Sequence, residues 1–133
     1  MADYKRLQVW RKAHALALNA HRAATSIRGS QYLALRSQII RSAMSVPANI
    51  VEGRAQRSDR EFARFLRHAA ASASELEYHL LAAGDVGALD QSTATQLGAQ
   101  VDEVIRMLRG LIARLDGARV LAPPPSPGEA RTD

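Results

Sequence analysis

The chain has 133 residues, 47% hydrophobic and 23% charged, enough for one packed core and too few for two ordinary domains. It contains no cysteine, which excludes a disulfide framework, a thiol nucleophile and a cysteine-ligated zinc or iron–sulfur centre. The formal net charge of +5 hides an asymmetry: residues 1–67 carry +9 and residues 68–133 carry −4, so the first half calls for an anionic partner or the second half of a neighbouring copy.

The opening "MADYKRLQVWRKAH" lacks the apolar stretch of a signal peptide, and no run of 18 apolar residues follows. The expectation is a soluble, cytoplasmic protein. From Leu7 to Arg28, Trp10, Ala13, Ala17, Ala20, Ala24 and Ile27 recur in alternating steps of three and four, one face of a first helix, with Gly29 where a left-handed cap belongs. Lys5, Arg6, Arg11 and Lys12 form a basic cluster at its start. Tyr4 and Trp10 lie among them, but Trp10 continues the apolar stripe and reads as core rather than as a base-stacking platform. His14 and His21, seven apart, read as a solvated or interface pair, since no further metal ligands accompany them.

A second helix carries Leu35, Ile39, Ala43, Val46 and Ile50, and Gly53 closes it. Pro47 lacks an amide hydrogen and collides with the carbonyl of Ala43, which kinks a helix or breaks it. Register continues from Ile39 and Ala43 to Ile50, which favours the kink; the rival is a break in which Ser45 caps a new helix. Either way Asn49 and Glu52, three apart, are expected to hydrogen-bond the carbonyls released by the proline or a neighbouring helix end.

The start of the third helix is marked by Ser58 and Glu61, an S-x-x-E capping box. Phe62, Phe65, Ala69, Ala73, Leu76, Leu80 and Ala83 supply its apolar face, and Gly84 its expected end. Beyond Arg54, the residues Arg57, Arg60, Arg64 and Arg67 are spaced 3, 4 and 3 apart, an arginine stripe suited to phosphates because guanidinium forks bind them bidentately. Arg57 and Glu61 are spaced to pair. Intersubunit salt bridges and plain solvation are the competing readings. His68, Ser72, Glu75 and His79 share a face, but three reacting groups on one rigid helix cannot converge on a substrate, and hydrogen bonding between helices is the better reading.

The fourth helix shows Leu97, Val101, Val104, Leu108, Leu111 and Leu115, with Gly117 as its expected end, and "GDVGALDQ" is short enough to make it antiparallel to the third. The expected organisation is an all-α, antiparallel four-helix bundle over residues 1–117, then a disordered proline-rich tail over 118–133. No Glu-x-x-His pair, phosphate loop or dinucleotide fingerprint is present, so no metal, cofactor or catalytic residue is assigned.

"LQVWRKA", "SQIIRSAMSVPANIVEG", "RSDREFARFLRHA" and "SELEYHLLAAGDVGAL" together resemble the bacterial four-helix-bundle proteins encoded in intervening sequences of 23S ribosomal RNA genes, a family similar to the accessory proteins of diversity-generating retroelements. The resemblance covers roughly residues 4–115. It implies a bundle that assembles into a homopentameric, barrel-like ring, without known enzymatic activity and associated with nucleic acid or a reverse transcriptase. Two positions depart from the pattern: Ile40 stands where a second arginine is common, and "HAAASAS" has alanine where glycine often permits close helix approach. The functional expectation is a non-enzymatic scaffold binding RNA or DNA with little sequence specificity through Arg54, Arg57, Arg60, Arg64, Arg67, Lys5, Arg11 and Lys12. The alternative is a protein-interaction scaffold docking a reverse transcriptase or ribosome-associated partner, its arginines used in subunit interfaces. Pro47, Asn49, Glu52, Gly53, Ser58 and Glu61 are expected to be structural.

Overall fold

A short 3-10 turn, Tyr4–Arg6, leads into the first helix of the computed structural model, which describes residues 3–121, with side chains to 117. Helix α1 (Gln8–Thr25) begins after Leu7, whose extended backbone stands at the N-cap without a side-chain bond. The helix ends earlier than the apolar spacing suggests. Thr25 and Ser26 donate their hydroxyls to the carbonyls of Arg22 and Ala23 at 2.9 and 2.6 Å, satisfying groups that the last turn leaves open. Ile27 still reaches the core, 1% exposed. Gly29 does adopt positive φ, but at φ 105° and ψ 135° it turns the chain into a second 3-10 turn, Ser30–Tyr32, instead of capping α1.

Helix α2 (Leu33–Arg54) runs unbroken through Pro47, so the alternative of a new helix capped by Ser45 is ruled out. Burial explains the tolerance: Ala43, Val46, Pro47 and Ile50 all face the core, and the apolar area they remove from water opposes the cost of the missing bond. Asn49 donates to the carbonyl and hydroxyl of Ser45 at 2.8 and 3.0 Å, so it serves its own helix but not the Ala43 carbonyl that Pro47 leaves open. Glu52 is exposed and makes no side-chain bond among the described residues; only its backbone carbonyl is used, by Gln56.

Ser58 caps α3 (Asp59–Asp85) by accepting from the Glu61 amide at 3.1 Å. Half of the capping box forms, because the Glu61 carboxylate turns to Arg64 instead of reaching back. Ser58→Ala should cost about 1 kcal/mol, measurable by urea unfolding. α3 ends in a turn centred on Gly87 (φ 81°), where the amides of Ala88 and Leu89 both donate to the Ala83 carbonyl. Asp90 then caps α4 (Gln91–Leu121) through the Thr93 amide at 2.6 Å.

The expectation that four glycines end four helices is therefore corrected. Among the described residues only Gly29 and Gly87 have positive φ, the property that makes glycine a terminator. Gly53 and Gly84 lie inside helices at close crossings, and α4 continues through Gly117 to Leu121, so the helical part extends past the expected boundary at 117. The proline-rich tail lies outside the described residues from 122 onward.

α1, α2, α3 and α4 pack as an up-down-up-down bundle. Leu16, Ile39, Ile50, Leu66, Leu76, Val101 and Leu108 fill its interior at 0–1% exposure. Ile40, standing where a basic residue was expected, packs against that core. Ala69 and Ala73 of "HAAASAS" are fully buried. No strand occurs among the described residues, and no helix there is long and apolar enough to cross a membrane.

Candidate nucleic-acid interface

Up-down connectivity brings the start of α1, the end of α2, the start of α3 and the end of α4 to one end of the bundle. An ion pair between Arg67 and Asp116 at 2.5 Å and another between Lys12 and Glu103 at 3.5 Å tie α4 to α3 and α1 on this side. Nine of the thirteen first-half Lys and Arg residues thus gather toward this end, while Arg22, Arg28, Arg36 and Arg41 lie toward the other. Glu75, Glu77, Asp85, Asp90 and Asp102 lie toward the other end.

The structure divides the arginine stripe in two. Arg64 donates through Nε and Nη2 to Glu61 Oε1 at 3.1 and 2.9 Å and lies 4.6 Å over the Phe65 ring. Arg67 is held by Asp116. Arg57 and Arg60 are exposed and have no hydrogen-bond or ion-pair partner among the described residues. Arg54 lies 5.8 Å over Phe62 and forms no ion pair there. The expected Arg57–Glu61 pair does not form. Arg57 precedes the cap, outside the helical geometry on which i,i+4 pairing depends, whereas Arg64 lies one turn beyond Glu61.

The second basic cluster is also partly engaged. Arg11 donates from Nε to the Lys5 carbonyl at 2.9 Å, Arg6 pairs with Asp3 at 2.8 Å, and Lys12 pairs with Glu103. The Lys5 ammonium is exposed without a partner among the described residues. Trp10 packs half-buried against the core with Tyr4 on edge to it. His14 stacks on the indole at 4.9 Å and an interplanar angle of 8°, so His14 and His21 do not meet as a pair. The guanidinium–phenylalanine contacts were missed from sequence; the adjacent Arg and Phe of "RFLR" were the signal.

Of His68, Ser72, Glu75 and His79, Ser72 and Glu75 bond across the seam between α2 and α3, whereas His68 and His79 contact residues of α3 itself. Ser72 bonds Ser45 at 2.8 Å, Arg41 donates to Glu75 at 2.7 Å, and the His68 ring lies 5.9 Å from Phe65. The Arg41 guanidinium beside Glu75 holds its carboxyl below the usual range. His79 Nε2 is 3.6 Å from Glu75 Oε2 and buried without a hydrogen bond. Among the described residues, no group of three His, Cys, Asp or Glu is arranged to hold a metal.

Glu77 behaves in the opposite sense. Hydrogen bonding to Asp102, with burial and the charge of Asp102 adding to it, pushes the Glu77 carboxyl up; Arg109 counteracts part of this. A raised folded-state value means that Glu77 contributes stability below its ordinary value, a contribution lost as pH rises through the folded value. Glu77→Gln should therefore stabilise the bundle at pH 7 by no more than about 0.5 kcal/mol after solvent screening, and not at all near pH 3. Thermal unfolding at the two pH values reads the difference.

Residues 5–110 match the family described as 23S rRNA-intervening sequence protein. The chain belongs to that family. A similar solved structure is a protein of unknown function from the S23 ribosomal protein family of Bacteroides thetaiotaomicron VPI-5482. It shares 24% identity and a TM-score of 0.74, over 78% of this chain and 97% of that one. That similarity carries the bundle fold. No curated protein matches. Membership covers the basic end from Lys5 through Arg67 and most of α4, so the candidate surface of this 23S rRNA-intervening sequence protein lies within the matched region.

Proposed function

We propose that this 23S rRNA-intervening sequence protein is a non-enzymatic cytoplasmic scaffold that assembles as a cyclic homo-oligomer, a pentamer by its family resemblance, and binds RNA or DNA through its basic end. The observation that carries the nucleic-acid reading is the pair of unpartnered, exposed guanidiniums of Arg57 and Arg60 beside the ring-stacked Arg54 and Arg64. Arginines without carboxylate partners remain available to phosphates, and each phosphate neutralised releases counterions. The proposed contacts are to phosphates, which carry no sequence information, so binding is expected to be independent of sequence.

Fluorescence anisotropy of labelled RNA and duplex DNA across a salt series tests the proposal. If about four phosphates are neutralised on duplex, the slope of log K against log[salt] should be near −3.6, at about −0.9 per phosphate. A flat titration, or no binding at low salt, removes it.

A further inference from the structure

Gly110 weakens α4 without serving the fold of the single chain. A mid-helix glycine costs about 1 kcal/mol relative to alanine, yet no atom lies within 4 Å of where its Cβ would stand. One turn away on either side are Arg106 and Arg114, exposed and without a partner among the described residues. Beside them runs a groove of about 480 Å³ between α1 and α4, floored by Leu7, Met107 and Leu111. Glu103, the one carboxylate lining it, is engaged by Lys12. The groove is apolar along its floor and positive at both ends.

α3 carries the complement. Glu77 and Asp85 lie two turns apart with Leu81 midway, and Leu81 and Tyr78 are 59% and 65% exposed, unusual for such large side chains. Both charged pairs are eight residues apart, roughly 12 Å at 1.5 Å per residue. Glu77 already sits against Asp102 in the single chain, a repulsion that a guanidinium would relieve. Arginine–glycine–arginine on one surface thus meets glutamate–leucine–aspartate on the other.

We infer that these surfaces join two copies of the chain: Leu81 of one copy seats in the gap over Gly110 of the next, with Glu77 and Asp85 against Arg106 and Arg114. This rests on the assembly part of the proposed function and gives it a location. The contact is head-to-tail, since each copy offers one surface of each kind. The acidic ridge lies toward the α3–α4 turn and the arginines toward the opposite end of the bundle. Neighbouring copies are therefore stepped along the bundle axis, and a closed ring needs bundles inclined to the ring axis.

Sedimentation velocity of the full chain over a concentration series provides the test. The wild-type chain should assemble, and the Arg106→Glu/Arg114→Glu variant should associate roughly tenfold or more weakly while its helical circular dichroism stays unchanged. Adding Glu77→Arg and Asp85→Arg to that variant should restore assembly, which no general loss of stability can imitate. Leu81→Ser, neutral and at an exposed position, should also dissociate the assembly. RNA anisotropy of Leu81→Ser leaves the basic end intact, so the nucleic-acid reading is judged separately. Undiminished assembly of Arg106→Glu/Arg114→Glu, or failure of the charge swap to restore it, overturns the inference. A wild-type chain that stays monomeric also overturns it and leaves the groove to a different protein.

Discussion

Gly53→Val should destabilise the bundle by roughly 2–3 kcal/mol, whereas Gly98→Ala should stabilise it by about 1 kcal/mol, although both glycines lie within helices. A Cβ on Gly53 would stand 2.7 Å from the Cβ of Phe65 and 3.0 Å from the Phe62 ring, and the nearer atom is anchored to its backbone and cannot swing aside. α2 and α3 would have to separate, loosening Phe62 and Leu66, which are 6% and 0% exposed. At Gly98 nothing lies within 4 Å, so a methyl group adds helix propensity without a clash. Urea unfolding of the two variants gives midpoints that move in opposite directions. Equal shifts would mean that the α2–α3 crossing has room to spare.

Arg57→Gln/Arg60→Gln should weaken RNA and DNA binding on the order of 10- to 100-fold at moderate salt and flatten the duplex salt slope by about 1.8, two phosphate contacts at about 0.9 each. Arg64→Gln/Arg67→Gln should do less to binding. Those guanidiniums already have Glu61 and Asp116 as partners, which compete with phosphate. The second pair should lose stability instead, by about 0.2–1 kcal/mol per exposed ion pair. Binding isotherms on single-stranded and duplex probes of several sequences separate the cases, because loss of phosphate contacts weakens every sequence alike. Equal loss from both double variants would show that the carboxylates yield their arginines to the ligand.

The helices and their buried faces were legible in the sequence because three- and four-residue steps of Ala, Leu, Ile and Val leave one geometric solution. Ala13, Ala17, Ala20 and Ala24, read from spacing alone, are all fully buried. Boundaries were less legible, since glycine ends a helix only where the backbone turns to positive φ. Gly53 and Gly84 are needed for close approach of another helix, and spacing cannot distinguish the two uses. The arginine stripe was visible as a spacing, but its division into engaged and available members was not. That division depends on Asp116, 49 residues beyond Arg67, and on the cap that places Arg57 outside the helix. The bonds from Ser45 to Ser72 and from Arg41 to Glu75 likewise follow from the register of two antiparallel helices, which neither helix encodes by itself.

The alanine face of α1 sets the order in which the bundle opens. Four of its buried side chains are single methyl groups, and only Val9 and Leu16 among its buried residues are larger, so α1 removes less apolar area from water than its length permits. α2 and α3, in contrast, meet at the Gly53 crossing and share the bonds of their polar seam. Amide hydrogens of α1 should therefore exchange by local detachment of that helix, at a lower free energy than those of α2 and α3, whose exchange awaits unfolding of the whole. A copy or ligand seated in the groove beside α4 spans the detaching element, and its arrival registers first as slowed exchange along α1.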